Sequence, residues 1–145
     1  MREAASTKRA KVVFWVAFAG AAWLLAVWLV SNASPVRNAA VKPLLSVGVS
    51  NDERKELSMI TVDYLPGESN PAHVHRAQAL AYVLEGSIVM QVRGGPPLTL
   101  TPGQTFYEGP DDVHIVSRNA SDTAPAKFLV FLVKEKGAPI LRPVE

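Results

Sequence analysis

Two patterns of apolar residues divide the chain. Residues 12–30 read VVFWVAFAGAAWLLAVWLV, nineteen positions without a charge and without a polar face. As a helix at ~1.5 Å per residue, such a run spans about 30 Å, one bilayer core. From residue 44 onward the pattern changes to short apolar runs cut by turn signals roughly every 8–12 residues, the mark of a sandwich or barrel. Strands are predicted over residues 44–50, 56–64, 79–85, 87–93, 98–100, 104–108, 113–117 and 127–134. Asn51-Asp52, Gly86, Gly94-Gly95-Pro96-Pro97, Pro102-Gly103 and Gly109-Pro110-Asp111-Asp112 supply the breaks. Within 87–93, Ile88, Met90 and Val92 alternate with Ser87, Val89 and Gln91, a period of two with one more apolar face. No later segment repeats with a helical period, so the domain is predicted to be all-β, preceded by one N-terminal hydrophobic helix.

Arg2, Lys8, Arg9 and Lys11 stand ahead of the apolar run, the basic flank expected on the cytoplasmic side of a membrane. Its length favours an uncleaved signal anchor over a signal peptide, whose apolar core is ~7–15 residues. Ser31-Asn32-Ala33 nevertheless offers small residues for cleavage before Ser34. A soluble buried helix is the poorer reading, because too little protein remains to cover a segment apolar on every side. The expected organisation is a signal anchor or signal peptide over 1–33, a linker over 34–43, a barrel over 44–136 and a C-terminal tail over 137–145. The barrel would then lie on the periplasmic face of the inner membrane, or be periplasmic or secreted after cleavage.

Charge agrees with that division. Residues 1–33 hold four basic residues and one acid of the chain's 15 and 13, which leaves 11 against 12 and a net charge of −1 for the remainder. The basic balance therefore belongs to the N-terminal flank, and no basic surface argues for nucleic acid. Cysteine is absent, which excludes disulfides, thiolate ligands and a thiol nucleophile.

The three histidines carry the candidate chemistry. His73 and His75, one residue apart, point to the same face of an extended strand and can share an ion. His114 follows a turn and opens another strand, so a barrel can bring it beside the pair. Three neutral imidazoles suit Fe, Mn, Ni, Cu or Zn and leave coordination positions open.

The spacing of these residues resembles the cupin superfamily, in particular small single-domain barrels of the RmlC-like type. The first cupin motif, G-x5-H-x-H-x3-4-E-x6-G, is matched by Gly67, His73, His75 and Gly86, with Ala79 where the glutamate is usual. The second, G-x5-P-x-G-x2-H-x3-N, is matched at Gly103 and His114. There Pro110 is displaced by one position, Asp111 replaces glycine and Asn119 falls one residue late. The resemblance covers about residues 44–136 and implies a double-stranded β-helix, or jelly roll, holding one divalent metal ion, Fe first, with Mn, Ni or Zn as alternatives.

Alanine cannot coordinate, so the favoured ligand set is His73, His75 and His114 alone, as in some cupin-type thiol dioxygenases. Gln78 is the adjacent amide, and only a bulge would turn it inward. Glu108 shares a strand face with Phe106, so it is a candidate for the missing carboxylate or for a catalytic general base. An exposed strand-end glutamate is the bland alternative. Tyr82 reads as core in preference to catalytic, and Arg76 as solvated in preference to an anion anchor. A cupin that has lost its metal and keeps the histidines as polar lining is also compatible with Ala79.

Function is expected in one of three classes. The first is an oxygen-dependent dioxygenase acting on a small organic substrate. The second is a non-catalytic module that binds or senses a small molecule, and the third a metal-dependent isomerase, lyase or hydrolase. Fold alone does not choose among them. The expected partners are the small molecule, the membrane through an uncleaved N-terminal helix, and a second copy in a homodimer that would cover the 44–50 strand edge.

Overall fold

The computed structural model describes residues 39–144, which belong to one compact unit, Val36–Glu145. The N-terminal hydrophobic segment lies outside the described residues. Among the described residues there is no helix, and so none long and apolar enough to cross a membrane.

Eleven strands follow in order: β1 (Ala40–Val49), β2 (Asp52–Tyr64), β3 (Ser69–Asn70), β4 (His73–Val74), β5 (Ala77–Glu85), β6 (Ile88–Val92), β7 (Leu98–Leu100), β8 (Thr105–Glu108), β9 (His114–Asn119), β10 (Ala126–Glu135) and β11 (Arg142–Pro143). They form two sheets. One runs β1-β2-β10-β5-β8; the other runs β11-β4-β9-β6-β7, with β3 also on β9. The paired strands whose register is known are all antiparallel, as hairpins and long return connections require.

The central strands form where alternation predicts, because each turns one face to the barrel interior, whereas β1 lies exposed along almost its whole length. On β5, Ala77, Ala79, Ala81 and Val83 are buried while Gln78, Leu80, Tyr82 and Leu84 are exposed. On β10, Phe128, Val130 and Leu132 face the same core from the next strand. Ile88, Met90 and Leu100 close it from the second sheet. A direct polar tie crosses between the sheets: the Tyr64 hydroxyl and Ser117 Oγ stand 2.7 Å apart, buried. Burial pushes the Tyr64 phenol up to about 12, so it stays protonated.

Three features differ from the sequence reading. β1 begins at Ala40, inside the stretch assigned to a linker, because pairing with β2 extends to Asp63. Tyr82 is 40% exposed on the outer face of β5, so it is neither core nor part of the interior site. Residues 137–145 do more than trail: β11 pairs with β4. Beneath it, the buried Lys134 ammonium pairs with Glu56 and donates to the Ala138 carbonyl at 2.6 Å. That contact turns the chain back toward the barrel mouth.

Gly86 shows how tightly one turn is packed. Its φ is +69°, and a Cβ there would overlap the Pro125 carbonyl and approach Ala126 Cα to 2.8 Å. Both the left-handed backbone and the collision penalise any side chain. Gly86→Ala is expected to lower stability by about 2–4 kcal/mol, read as a shift in the denaturant midpoint at unchanged m-value.

Candidate metal centre

The site is assembled by strand register. His73 on β4 lies directly opposite His114 on β9. Val92 of β6 flanks His114 on its other side, at a bulge that lets β6 and β9 re-register. His75 follows the two-residue β4 and precedes Arg76, whose φ of +48° puts a non-glycine residue in the left-handed region. The turn delivers the chain from one sheet to the other, so His75 sits at their seam. The exposed Arg76 guanidinium meets Asp111 at 3.1 Å, joining the loops that carry His75 and His114. At that exposure the pair contributes at most ~1 kcal/mol.

All three rings are buried, at 3%, 9% and 2% exposure for His73, His75 and His114, and their ligand atoms lie within 4.8 Å of one another. This group could hold a metal ion. Two of the rings are oriented by backbone carbonyls: His73 Nδ1 is 2.8 Å from the Pro71 oxygen, and His75 Nδ1 is 2.7 Å from the Ile140 oxygen. A carbonyl only accepts, so each Nδ1 carries the hydrogen and each neutral ring presents a bare Nε2. Those two Nε2 atoms face each other at 3.2 Å. Two lone pairs at that distance repel unless a cation sits between or beside them. Burial holds the His73 imidazole below its ordinary value, against protonation. A metal ion is then the fitting cation, since nitrogens about 2.0–2.1 Å from one ion stand about 3.0–3.4 Å apart.

Glu108 lies beside the cluster. It is the direct cross-strand partner of Ala79, on β8 beside β5. Ala79 is 1% exposed and Glu108 5%, so both point inward at the same level. A carboxylate, Glu108, therefore lies one strand over from the position where the cupin motif usually carries a glutamate. Its Oε1 is 3.6 Å from His75 Nε2 and its Oε2 3.2 Å from His114 Nδ1. Burial acts to raise the carboxyl, but His114 and the neighbouring imidazoles outweigh it and hold the group below its ordinary value. Glu108 Oε2 and both ring nitrogens of His114 are buried without an aligned hydrogen bond. Buried polar atoms left this way are costly, and a shared ion would satisfy them.

Gln78 is not brought to the site. It lies exposed on the outer face of β5, opposite Val133 of β10, and the bulge that would turn it inward is missing at that position. Asn119, late in the second motif, is structural: its amide donates to the Leu65 and Ala124 carbonyls and accepts from the Ser121 N–H.

Beside the cluster is an interior cavity of about 40 Å³, with Ile60, Met90, Phe128 and Val130 among its apolar walls. A larger recess of about 240 Å³ lies outside it, lined by Ala39, Val41, Asn70, Pro71, His73, Leu141 and Pro143. Val41, Asn70, His73 and Leu141 border both spaces, so the recess leads to the histidines.

Fold and site together define a barrel with a histidine cluster at one mouth, and a family model described as a cupin domain matches residues 60–132. The chain belongs to the cupin family. Among solved structures it is similar to the DMSP lyase DddQ from Ruegeria pomeroyi DSS-3, at 22% identity and a TM-score of 0.61, covering 78% of this chain and 55% of that one. It is also similar to an oxalate oxidase in complex with the substrate analogue glycolate, at 24% identity and a TM-score of 0.59, covering 77% and 57%. A cupin domain from Bordetella pertussis Tohama I aligns at 18% identity and a TM-score of 0.53, covering 70% of this chain and 99% of that one. The chain spans about half the length of the lyases it matches. At these identities the likeness shows the fold. No curated protein matches the chain.

Sequence reasoning missed the contribution of residues 140–143. Ile140 supplies the carbonyl that orients His75, and Arg142–Pro143 pairs across Val74 and His73. Only the short apolar Ile140-Leu141 pair hinted at it. Partners of this kind typically contribute ~10–100-fold to metal affinity. Removing residues 139–145 is expected to weaken Zn(II) or Fe(II) binding by that factor while the far-ultraviolet dichroism of the barrel is retained. Unchanged affinity in a competition titration would show that His75 is oriented without them.

Proposed function

We propose that this chain binds one divalent metal ion through His73, His75, His114 and Glu108 and uses it as an enzyme on a small organic substrate, with an oxygen-dependent dioxygenase as the leading reaction class. The observation that carries the reading is the pair of bare Nε2 atoms at 3.2 Å, each ring locked by a carbonyl. A bound divalent iron would supply Lewis-acid and one-electron oxygen chemistry. Iron is preferred, with Mn, Ni or Zn as the other candidates.

The chain's own groups set what can happen there. Three neutral imidazoles and one carboxylate leave a divalent centre with net positive charge, which favours an anionic substrate group. Four protein ligands leave two positions of an octahedral ion free. The cluster is buried beside the small cavity, and the outer recess has room for the body of a small substrate. Glu108, held ionised, is the group placed to accept a substrate proton when it is not needed as a ligand.

Proton abstraction by Glu108 also supports a second reading, a metal-dependent lyase or isomerase. The neighbouring DMSP lyases, one at 26% identity, share the barrel and are consistent with that class. A binding or sensor role would leave metal and ligand affinity intact without turnover. The hydrophobic run at residues 12–30 supports export or membrane anchoring of the barrel. Protease added to intact spheroplasts should then digest it.

Metal analysis of the purified protein tests the centre directly. About one equivalent of iron is expected, lost in His73→Ala and His114→Ala with the fold retained; full occupancy in either variant would overturn the site. Oxygen uptake with Fe(II) would select the dioxygenase, and turnover without oxygen the lyase or isomerase. Glu108→Ala is expected to cost more than ~100-fold in metal affinity, beyond the range of an outer partner. The double variant Ala79→Glu/Glu108→Ala should recover much of it by returning the carboxylate to the other strand. Failure of Glu108→Ala to weaken binding would leave Glu108 only the base role.

A further inference from the structure

The outer recess and the interior cavity meet at a neck. Val41 of β1 and Leu141, the residue before β11, border both spaces. On the histidine side the cavity is only about 40 Å³, room for a head group of few atoms, whereas the recess is about 240 Å³. A ligand that reaches the cluster from this side must therefore leave its body in the recess.

The walls of the recess define the chemistry of that body. Ala39, Val41, Pro71, Leu141 and Pro143 are apolar, and only Asn70 and His73 bring polar side chains. Both of these are partly engaged: Asn70 Oδ1 accepts from the Ala39 N–H at 3.3 Å, and His73 Nδ1 donates to the Pro71 carbonyl. Among the described residues no carboxylate and no aromatic ring lines the recess. A sulfonium or quaternary ammonium there would lose hydration without a counter-charge or a cation–π partner. No ammonium or guanidinium lines it either, so a second carboxylate would be just as unmatched. Lys42 and Arg142 are exposed neighbours in sequence, and on extended strands they point away from Val41, Leu141 and Pro143. An uncharged hydrocarbon body gains from entering such a space, about fourfold in affinity per buried methylene.

We infer that the site takes a small monocarboxylate with an uncharged aliphatic body, the carboxylate passing the neck to the histidines and the hydrocarbon staying in the recess. Val41 and Leu141 are the residues that select it. A carboxylate is small enough for the inner cavity and supplies the oxygen donors that a divalent centre accepts. The choice of an anionic head rests on the metal reading above. Selection of the body rests on the recess walls alone.

Calorimetric binding to the full chain loaded with Zn(II), which has no redox chemistry to consume a probe, tests this. The probes are butanoate, pentanoate and hexanoate, beside adipate and hexanoate carrying a terminal trimethylammonium group. Affinity is expected to rise about threefold to fourfold with each methylene, and hexanoate to bind about tenfold or more tighter than either doubly charged probe. Val41→Lys and Leu141→Arg should each weaken hexanoate about tenfold, and Leu141→Arg should strengthen adipate, at unchanged Zn(II) affinity. Val41 is exposed on β1, apart from the tail that orients His75, so its variant decides the matter if Leu141→Arg disturbs the metal. Leu98→Lys, exposed on β7 of the other sheet, should change nothing. A flat series, no binding of any probe, doubly charged probes bound as tightly as hexanoate, or an equal loss in Leu98→Lys would overturn the proposal. Failure to bind Zn(II) would sink the metal reading by itself. The same series on the metal-free chain then decides the recess: a persisting gain per methylene that Val41→Lys removes supports it, and a flat series overturns it.

Discussion

Two imidazole lone pairs aimed at one another are the constraint on which this site rests. In water, His73 and His75 would turn or protonate to escape the repulsion. Here each ring is fixed by a carbonyl, one from Pro71 and one from Ile140. Rotation would break a short hydrogen bond in a buried place, and burial resists protonation of His73. The protein thereby holds a geometry that is unfavourable empty and favourable around a cation, which is preorganisation in a literal sense. His114 and Glu108, with polar atoms buried and unmatched, add to the same bias.

Much of this was legible in the sequence. Short apolar runs between turn signals located the eight longer strands, with a clear period of two over residues 87–93. Glycine, proline and aspartate marked the turns. The histidine spacings placed the cluster, and alternation from Phe106 turned Glu108 inward. What the sequence could not show was which strand lies beside which. Ala79 and Glu108 are twenty-nine positions apart, and only the β5–β8 register makes them neighbours. Very short strands also escaped: β3, β4 and β11 have two residues each, too few for any period to register. Tyr82 was misread because an aromatic on an outer sheet face has the same local pattern as one inside.

With the proposed ligand set, the relation between Ala79 and Glu108 would account for a family pattern broken without losing the carboxylate. Direct cross-strand partners have Cβ atoms about 4.5–5.5 Å apart. A glutamate side chain spans that difference, so either strand can deliver oxygen to one point. Motifs written along a single strand record only one of the two solutions. The function supported here therefore depends on a spatial position, and the residue number that supplies it is secondary.

The contact between Ile140 and His75 bears on when the centre becomes complete. All four side chains of the cluster precede Ile140 in the chain. During synthesis they emerge first, yet His75 acquires its fixed orientation only after β10 is made and Lys134 has drawn Ala138 back. A nascent barrel would thus present incompletely oriented ligands, with lower affinity and poorer discrimination among ions. Tight loading of an ion would be deferred until the segment carrying Ile140 has been made and has folded back onto His75. Which ion occupies the barrel would accordingly reflect the metal pool of the compartment where folding ends, wherever translation took place.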